Sequence, residues 1–303
     1  MLQSAPPEAF RFVPPPRSLF RYQRFSEGLR PVIVLGQLYY PLLHELNDPC
    51  EYCYRIDTSW DDEIARQYFR TLLASKRSTA NVQAANPGLP IDAMLARMRS
   101  MPFEELFEVA KRGAVSQSDE ERRRMVEAQM RLDAEMIGIC CFTENGCSSY
   151  MSHAYADRHA GVCLEFSTSE QPFALAQPIT YQSEPPTMRP IGDPRAAQRA
   201  RMFVKSSEWG QEREWRMINH RAADGPIVSF PLHSLISLSL CPDFDSANLP
   251  RLRTWLDERE ALGHPAIAAY RLARRQDSYE LTREPIENLR NAASPPRSSQ
   301  LKR

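Results

Sequence analysis

The sequence predicts an α+β fold: a mixed, mostly antiparallel sheet as the core, with a helical insertion over 59–135. Three observations predict it. Extended runs lie on both sides of a block with helical periodicity, they follow one another as hairpins more than as strand-helix alternations, and 303 residues suffice to bury a substantial core.

The proline-rich stretch 1–17 reads as an extended arm. "SLFRYQRF" (18–25) alternates like a strand, and "GQLYYPLL" (36–43) is a second extended, aromatic run. Asn47, Asp48 and Pro49 supply the turn that ends it. "SWDDEIARQYFRTLLASK" starts with a Ser59 cap and an acidic first turn, and spaces Ile64, Tyr68, Leu72 and Leu73 helically. "IDAMLARMRS", "PFEELFEVAKRGA" and "SQSDEERRRMVEAQMRLDAEM" predict three further helices, the last with a capping box from Ser118 to Glu121. Their charged faces read as solvated surface.

"MIGICCFT" (136–143) is a nearly continuous apolar run, the pattern of a buried strand. "YMSHAYADRHAG" suits a short helix closed by Gly161. Strands are then expected at "VCLEF" and "ITYQSE", a basic helix at "DPRAAQRARMFVKS", and a strand within "EWGQEREWRMINH". "GPIVSFP", "LISLSLC", the helix "NLPRLRTWLDEREALG", and the strands "AIAAYRLA" and "SYELTREPI" complete a single domain over 18–285. The polar stretch 286–303 reads as a flexible tail.

Lys plus Arg balance Asp plus Glu at 38 each, so no global basic field argues for bulk nucleic-acid binding. The start lacks the pattern of a signal peptide, and no run reaches the roughly 18 apolar residues of a membrane span. Seven cysteines, an odd number, point to free thiols and a cytoplasmic location. Cys50 and Cys53 form C-x-x-C, but no second pair at zinc-site spacing follows, so no metal is expected. The glycine-rich phosphate loops, G-x-S-x-G and H-E-x-x-H are all absent.

One stretch stands out. If 212–218 is extended, Glu212, Glu214, Arg216 and Ile218 share one face, with two carboxylates about 7 Å apart. Such a pair is costly unless solvated, salt-bridged by Arg213 and Arg216, or used. His153 and His159, taken singly, read as helix-terminal hydrogen-bonding residues. Tyr150 and Tyr155 read either as core or as an aromatic wall for a planar ring.

Several separated pieces, in order, carry a resemblance: "LFRYQRF", "NDPCE", "CCFTE", "MSHAYADRHAGVCLEF", and "VKSSEWGQEREWRMI" followed by "FPL". Over roughly 18–283 they resemble the bacterial family known as domain of unknown function 2971. Cys50 stands where that family usually has an aromatic, Met151 where tryptophan is usual, and Ala154 is an extra residue in the Ser-His-Tyr-Ala signature. The layout is more remotely similar to NAD-dependent ADP-ribosyltransferases, which implies a split sheet and NAD as substrate. That likeness places Arg21 on the early strand, Thr143 or Ser152 in the middle, and Glu214 on the late strand. Glu212-Arg213-Glu214 has the E-x-E form of arginine-directed members.

The likeness implies that Glu214 stabilises an oxocarbenium-like state while Glu212 orients or deprotonates the acceptor. Arg21 would hold the nicotinamide ribose or a phosphate, Tyr150 or Tyr155 would stack on nicotinamide, and Lys205 or Arg216 would meet the pyrophosphate. His153 counts with these cofactor-binding candidates. The implied acceptor is a protein or nucleic acid, as for a toxin or defence effector. The alternatives are a nucleotide-binding or protein-interaction module without catalysis, or another nucleotide-processing enzyme.

Overall fold

The computed structural model describes residues 12–74, 90–189, 202–220, 225–287 and 289. The chain forms two compact units. Among the described residues, one holds 52–74, 90–134, 184–189 and 202–204, and the other 12–51, 135–183 and everything from 205 onward. The helical block lies in the first of these, together with 184–189 and 202–204.

The larger unit is built on one eight-stranded sheet: β1 (Ser18–Gln23), β2 (Ile137–Thr143), β3 (Val162–Ser167), β4 (Gln177–Pro178), β5 (Glu214–His220), β6 (Leu235–Leu240), β7 (Ala268–Arg274) and β8 (Leu281–Pro285). Their order across the sheet is β8-β7-β6-β3-β1-β2-β5-β4. The β6–β7 pair is parallel and the other neighbours are antiparallel, as the α+β reading expects.

Alternation along the strands sets the two faces. Leu19, Cys140, Phe142, Leu164, Phe166, Trp215, Met217 and Leu238 enter one core, which α6 (Leu249–Ala261) covers with Leu249, Leu252 and Trp255. Arg259 of α6 is fully buried because its guanidinium donates to three carbonyls, those of Ile33, Leu232 and Pro265. Tyr22, Cys163 and Leu272 enter a smaller core on the opposite face with Met151 and Ala156, around α5 (Ser149–Tyr155).

The transferase likeness implies a split sheet, whereas all eight strands hydrogen-bond as one. Continuity is nevertheless thin at one seam. β1 and β3 share six couples, while β1 and β2 share a single one, Phe20 with Thr143. Past it the edge of β2 is taken by other backbone: Leu42 bridges Gly138, and Ile139 N donates to Pro41 O at 2.8 Å. Five strands lie on one side of the seam and three on the other.

The smaller unit contains α1 (Asp62–Ala74), α2 (Ile91–Ser100), α3 (Phe103–Val115) and α4 (Asp119–Met136), the four expected helices. The capping box forms: Ser118 N donates to Glu121 Oε2 at 2.6 Å and Glu121 N to Ser118 Oγ at 3.2 Å. The cap of α1 is Asp61 rather than Ser59. Its Oδ1 accepts from the N–H groups of Glu63 and Ile64, and a carboxylate suits a helix start better than a hydroxyl. Phe69, Phe103 and Phe107 pack together, with Arg66 over the Phe107 ring.

Three further expectations are corrected. The run 36–43 is extended only over Gln37–Tyr39, after which Pro41 cannot donate to a ladder and the turn Leu43–Glu45 follows. The strand expected from 212 begins at Glu214. Gly161 is not a left-handed helix cap; Asp157, Arg158 and His159 take the positive φ values of 51°, 53° and 73° instead. Gly161 is needed because a Cβ there would collide with the Gln23 carbonyl and lie 2.9 Å from Ala156. The basic helix expected over 193–206 falls largely on 190–201, outside the described residues, as do 1–11 of the arm and most of the tail.

Gly161→Ala is therefore expected to cost about 1–3 kcal/mol by wedging β1 from β3. Gly210→Ala, where a Cβ meets nothing within 4 Å, should stay within about 0.5 kcal/mol. Urea unfolding followed by tryptophan fluorescence checks both, and equal midpoints would contradict the close-packing argument.

Candidate functional site

At the seam, one row crosses three strands: Phe20 of β1 is paired with Thr143 of β2, which is paired with Glu214 of β5. Where β1 and β2 would have continued to pair, a cavity of about 370 Å³ opens. Phe20 to Gln23 line it from β1, Arg24 from the residue after it, and Cys141 and Phe142 from β2. Glu51, Tyr155, Lys205, Glu212, Glu214 and Arg216 are also in its wall.

Five of these residues form a buried charge cluster. Lys205 Nζ donates to Glu212 Oε2 at 2.7 Å and to Glu214 Oε2 at 3.3 Å. Arg216 Nε donates to Glu214 Oε1 at 2.6 Å, while its Nη1 and Nη2 grip the Glu51 carboxylate at 2.7 and 2.9 Å. All five side chains are at most 4% exposed. Lys205 also stands 4.5 Å from the Trp209 ring centroid. Local structure presents each member. Asp48 closes the turn ahead of Glu51, accepting from Cys50 N through its side chain and from Glu51 N through its carbonyl. Tyr181 accepts the Glu214 N–H at 2.8 Å.

Glu212 and Glu214 are not neighbours on one strand face. Glu212 closes the turn Ser207–Glu212, and Arg213 then takes a left-handed φ of 45° before β5 begins. The turn removes Glu212 from the pleat, and Lys205 draws the two carboxylates back together. Glu212 Oε1 also accepts from the Tyr155 hydroxyl, which in turn accepts from Asn47 Nδ2 at 2.9 Å.

The two carboxylates are pushed in opposite directions. Burial favours the protonated form of Glu214, but the Arg216 guanidinium and the Lys205 ammonium outweigh it and hold the carboxyl well below the ordinary range. For Glu212 burial prevails over Lys205 and Tyr155, and repulsion from Glu214 adds to it, so its pKa is raised. Burial alone would lower Lys205, yet the two glutamates raise it and keep the ammonium charged. Burial and the bond to Glu212 raise Tyr155, which stays a phenol.

Compared with known proteins, the chain matches no family model, no curated protein and no solved structure. The site therefore rests on its own geometry.

Of the ten candidate residues read from the sequence, Arg21, Tyr155, Lys205, Glu212, Glu214 and Arg216 line the cavity. The other four lie off its wall. Thr143 is fully buried in the row above and accepts from Asn145 N. Ser152 is fully buried against His159 Nδ1 at 2.9 Å, His153 is exposed, and Tyr150 is half-buried beside the smaller core. Lys205 and Arg216 are also committed to carboxylates, which leaves them unsuited to a pyrophosphate. Arg21 differs: its Nη1 donates to Cys140 Sγ, its guanidinium lies 5.9 Å from the Phe142 centroid, and it forms no ion pair among the described residues. From the sequence Asn47 reads as a turn residue and Trp209 as a core anchor, and neither they nor Glu51 and Tyr181 read as site residues. Their signal was weak, since Glu51 and Arg216 are 165 positions apart.

Among the described residues, no group of three His, Cys, Asp or Glu side chains could hold a metal ion, and no helix is long and apolar enough to cross a membrane. Cys50 and Cys53 are both exposed.

Arg216→Met is expected to cost about 3–5 kcal/mol at neutral pH, because Glu51 stays buried without its cation and Glu214 keeps only Lys205. The lowered pKa of Glu214 contributes stability above the unfolded glutamate value of about 4.3 that is lost as pH falls through the folded value. The gap between wild type and variant should accordingly narrow below about pH 4 in urea titrations, and a gap that widens there would contradict the assignment.

Proposed function

We propose that the cavity binds a nucleotide and that the protein cleaves the nicotinamide-ribose bond of NAD, as an ADP-ribosyltransferase-like enzyme of the kind the resemblance to domain of unknown function 2971 suggests. The observation that carries this reading is the pair of cavity-lining glutamates whose proton affinities are driven apart, since such divergence assigns acid-base roles.

Glu214, kept anionic by Arg216 and Lys205, supplies fixed negative charge to the oxocarbenium-like state. The C1′–N bond breaks with its electron pair passing to the pyridinium nitrogen, so nicotinamide leaves neutral. The acceptor's oxygen or nitrogen bonds to C1′, and its proton passes to Glu212, whose raised pKa suits it as base. Arg21 is the cation left for a phosphate or ribose oxygen, and Arg24 lines the same cavity nearby. Tyr155, anchored through its hydroxyl, offers the edge of an aromatic wall together with Phe20. A protein or nucleic acid as acceptor would make the chain a toxin or defence effector.

One observation favours a second reading, a binding module without catalysis. Both oxygens of Glu214 already accept from cations, so the cluster satisfies itself without a ligand.

Nicotinamide release from NAD by the purified protein, with and without cell lysate, decides between them. Wild type should release nicotinamide, and Glu214→Gln should be slower by about 10²–10³-fold while remaining folded by circular dichroism. No release, combined with no shift of Tm by NAD, would overturn the enzyme reading. A Tm shift without release would support the binding module.

A further inference from the structure

Resting on that reading, we propose that Tyr155 is a positioning residue for Glu212, and that Asn47 fixes the direction in which the Tyr155 hydroxyl gives its proton. The argument is one of hydrogen-bond inventory. A phenol has one proton to donate and lone pairs to accept with. Asn47 Nδ2 donates into the hydroxyl oxygen at 2.9 Å, so the phenol's own proton is directed to Glu212 Oε1. Lys205 Nζ donates to the other oxygen, Oε2, at 2.7 Å. Glu212 is thus a carboxylate with a fixed donor on each oxygen, oriented at the cavity wall and ready to take a proton.

The groups facing Glu212 come from every element around it. Tyr155 and Tyr150 approach from α5, Lys205 from the strand Val204–Ser206, Glu214 from β5, and Tyr181 from the strand Thr180–Gln182. Lys205 is the cation that favours the charged form, Glu214 the anion that opposes it, and Tyr155 the neutral donor. Of the two that favour ionisation, Lys205 is shared with Glu214. Tyr155 hydrogen-bonds Glu212 alone of the two glutamates.

Asn47 occupies the chain just before the Glu51 turn and is exposed at its side chain's contact with Tyr155. This position makes the direction of the bond testable with a nearly isosteric change. In Asn47→Asp the ionised side chain can only accept, so Tyr155 would turn its proton to the new carboxylate and withdraw it from Glu212. Tyr155→Phe removes the donor outright. Both changes take a donor from a buried carboxylate, and its pKa should rise by about one unit.

The test reads Glu212 in two ways. First, unfolding free energy is measured against pH with and without Glu212→Gln in the wild-type, Tyr155→Phe and Asn47→Asp backgrounds. A raised carboxyl contributes stability at low pH that is lost as pH rises through its folded value, so the difference marks that value. Its midpoint should move up by about one pH unit in both variants. Second, the acid limb of kcat/KM for nicotinamide release should move by the same amount.

No movement in either variant overturns the proposal. Movement in Tyr155→Phe alone overturns the role of Asn47, and should Tyr155→Phe fail to fold, Asn47→Asp carries the test by itself. A moved stability midpoint without nicotinamide release supports the relay and removes the enzyme reading, whereas release with an unmoved acid limb does the reverse.

Discussion

Five charged side chains share one buried cluster, and the larger unit depends on their being complete. Taking an ion out of water costs several kcal/mol even after relaxation, so each of Glu51, Glu212 and Glu214 is tolerable only against Lys205 or Arg216. The cations depend equally on the acids. Because the members come from a turn at 48–51, a short strand at 204–206, a turn at 207–212 and β5, the cluster forms only when all four segments are in place. A fully paired buried cluster adds little net stability over an apolar core, yet removing any one member is costly.

The seam follows from strand pairing. β2 is apolar on both faces, as a central strand must be, and β5 pairs along its whole length. On its other edge β2 meets β1 at one couple, after which residues 41–42 take over. A strand edge shared between two partners cannot close against either, and the gap becomes the cavity. Charged groups at this gap interact through the low dielectric of the surrounding sheet and line the cavity.

Much of this was legible in the sequence. The helices of the smaller unit follow from periodicity, and the Ser118–Glu121 box forms as read. "MIGICCFT" is a buried strand, and "EWRMINH" is a strand with Trp215 and Met217 facing the core. Local rules failed where a distant partner decided the outcome. Period-2 alternation placed Glu212 on a strand, but nothing local announces that Arg213 adopts a left-handed conformation, which costs roughly 1–2 kcal/mol for an L-residue with a side chain. Glu51 sat in a recognisable turn without any mark of its bond to Arg216. The transferase likeness put Lys205 and Arg216 at a pyrophosphate, whereas the local reading of Arg216 as a salt-bridge partner of the glutamates agrees with its bonds to Glu214. Ser152 and Thr143 were read as site hydroxyls, whereas burial has already given each an internal partner.

The left-handed residue between the two glutamates gives the E-x-E spacing its chemical content. On a regular strand, Glu212 and Glu214 would stand in similar surroundings and titrate alike. Turning the chain at Arg213 sends Glu212 toward Tyr155 and leaves Glu214 in the sheet beside Arg216. Lys205 then touches both, so they remain close together while differing in proton affinity. Strain held at one residue thus puts two identical side chains in different surroundings, one that raises the carboxyl pKa and one that lowers it.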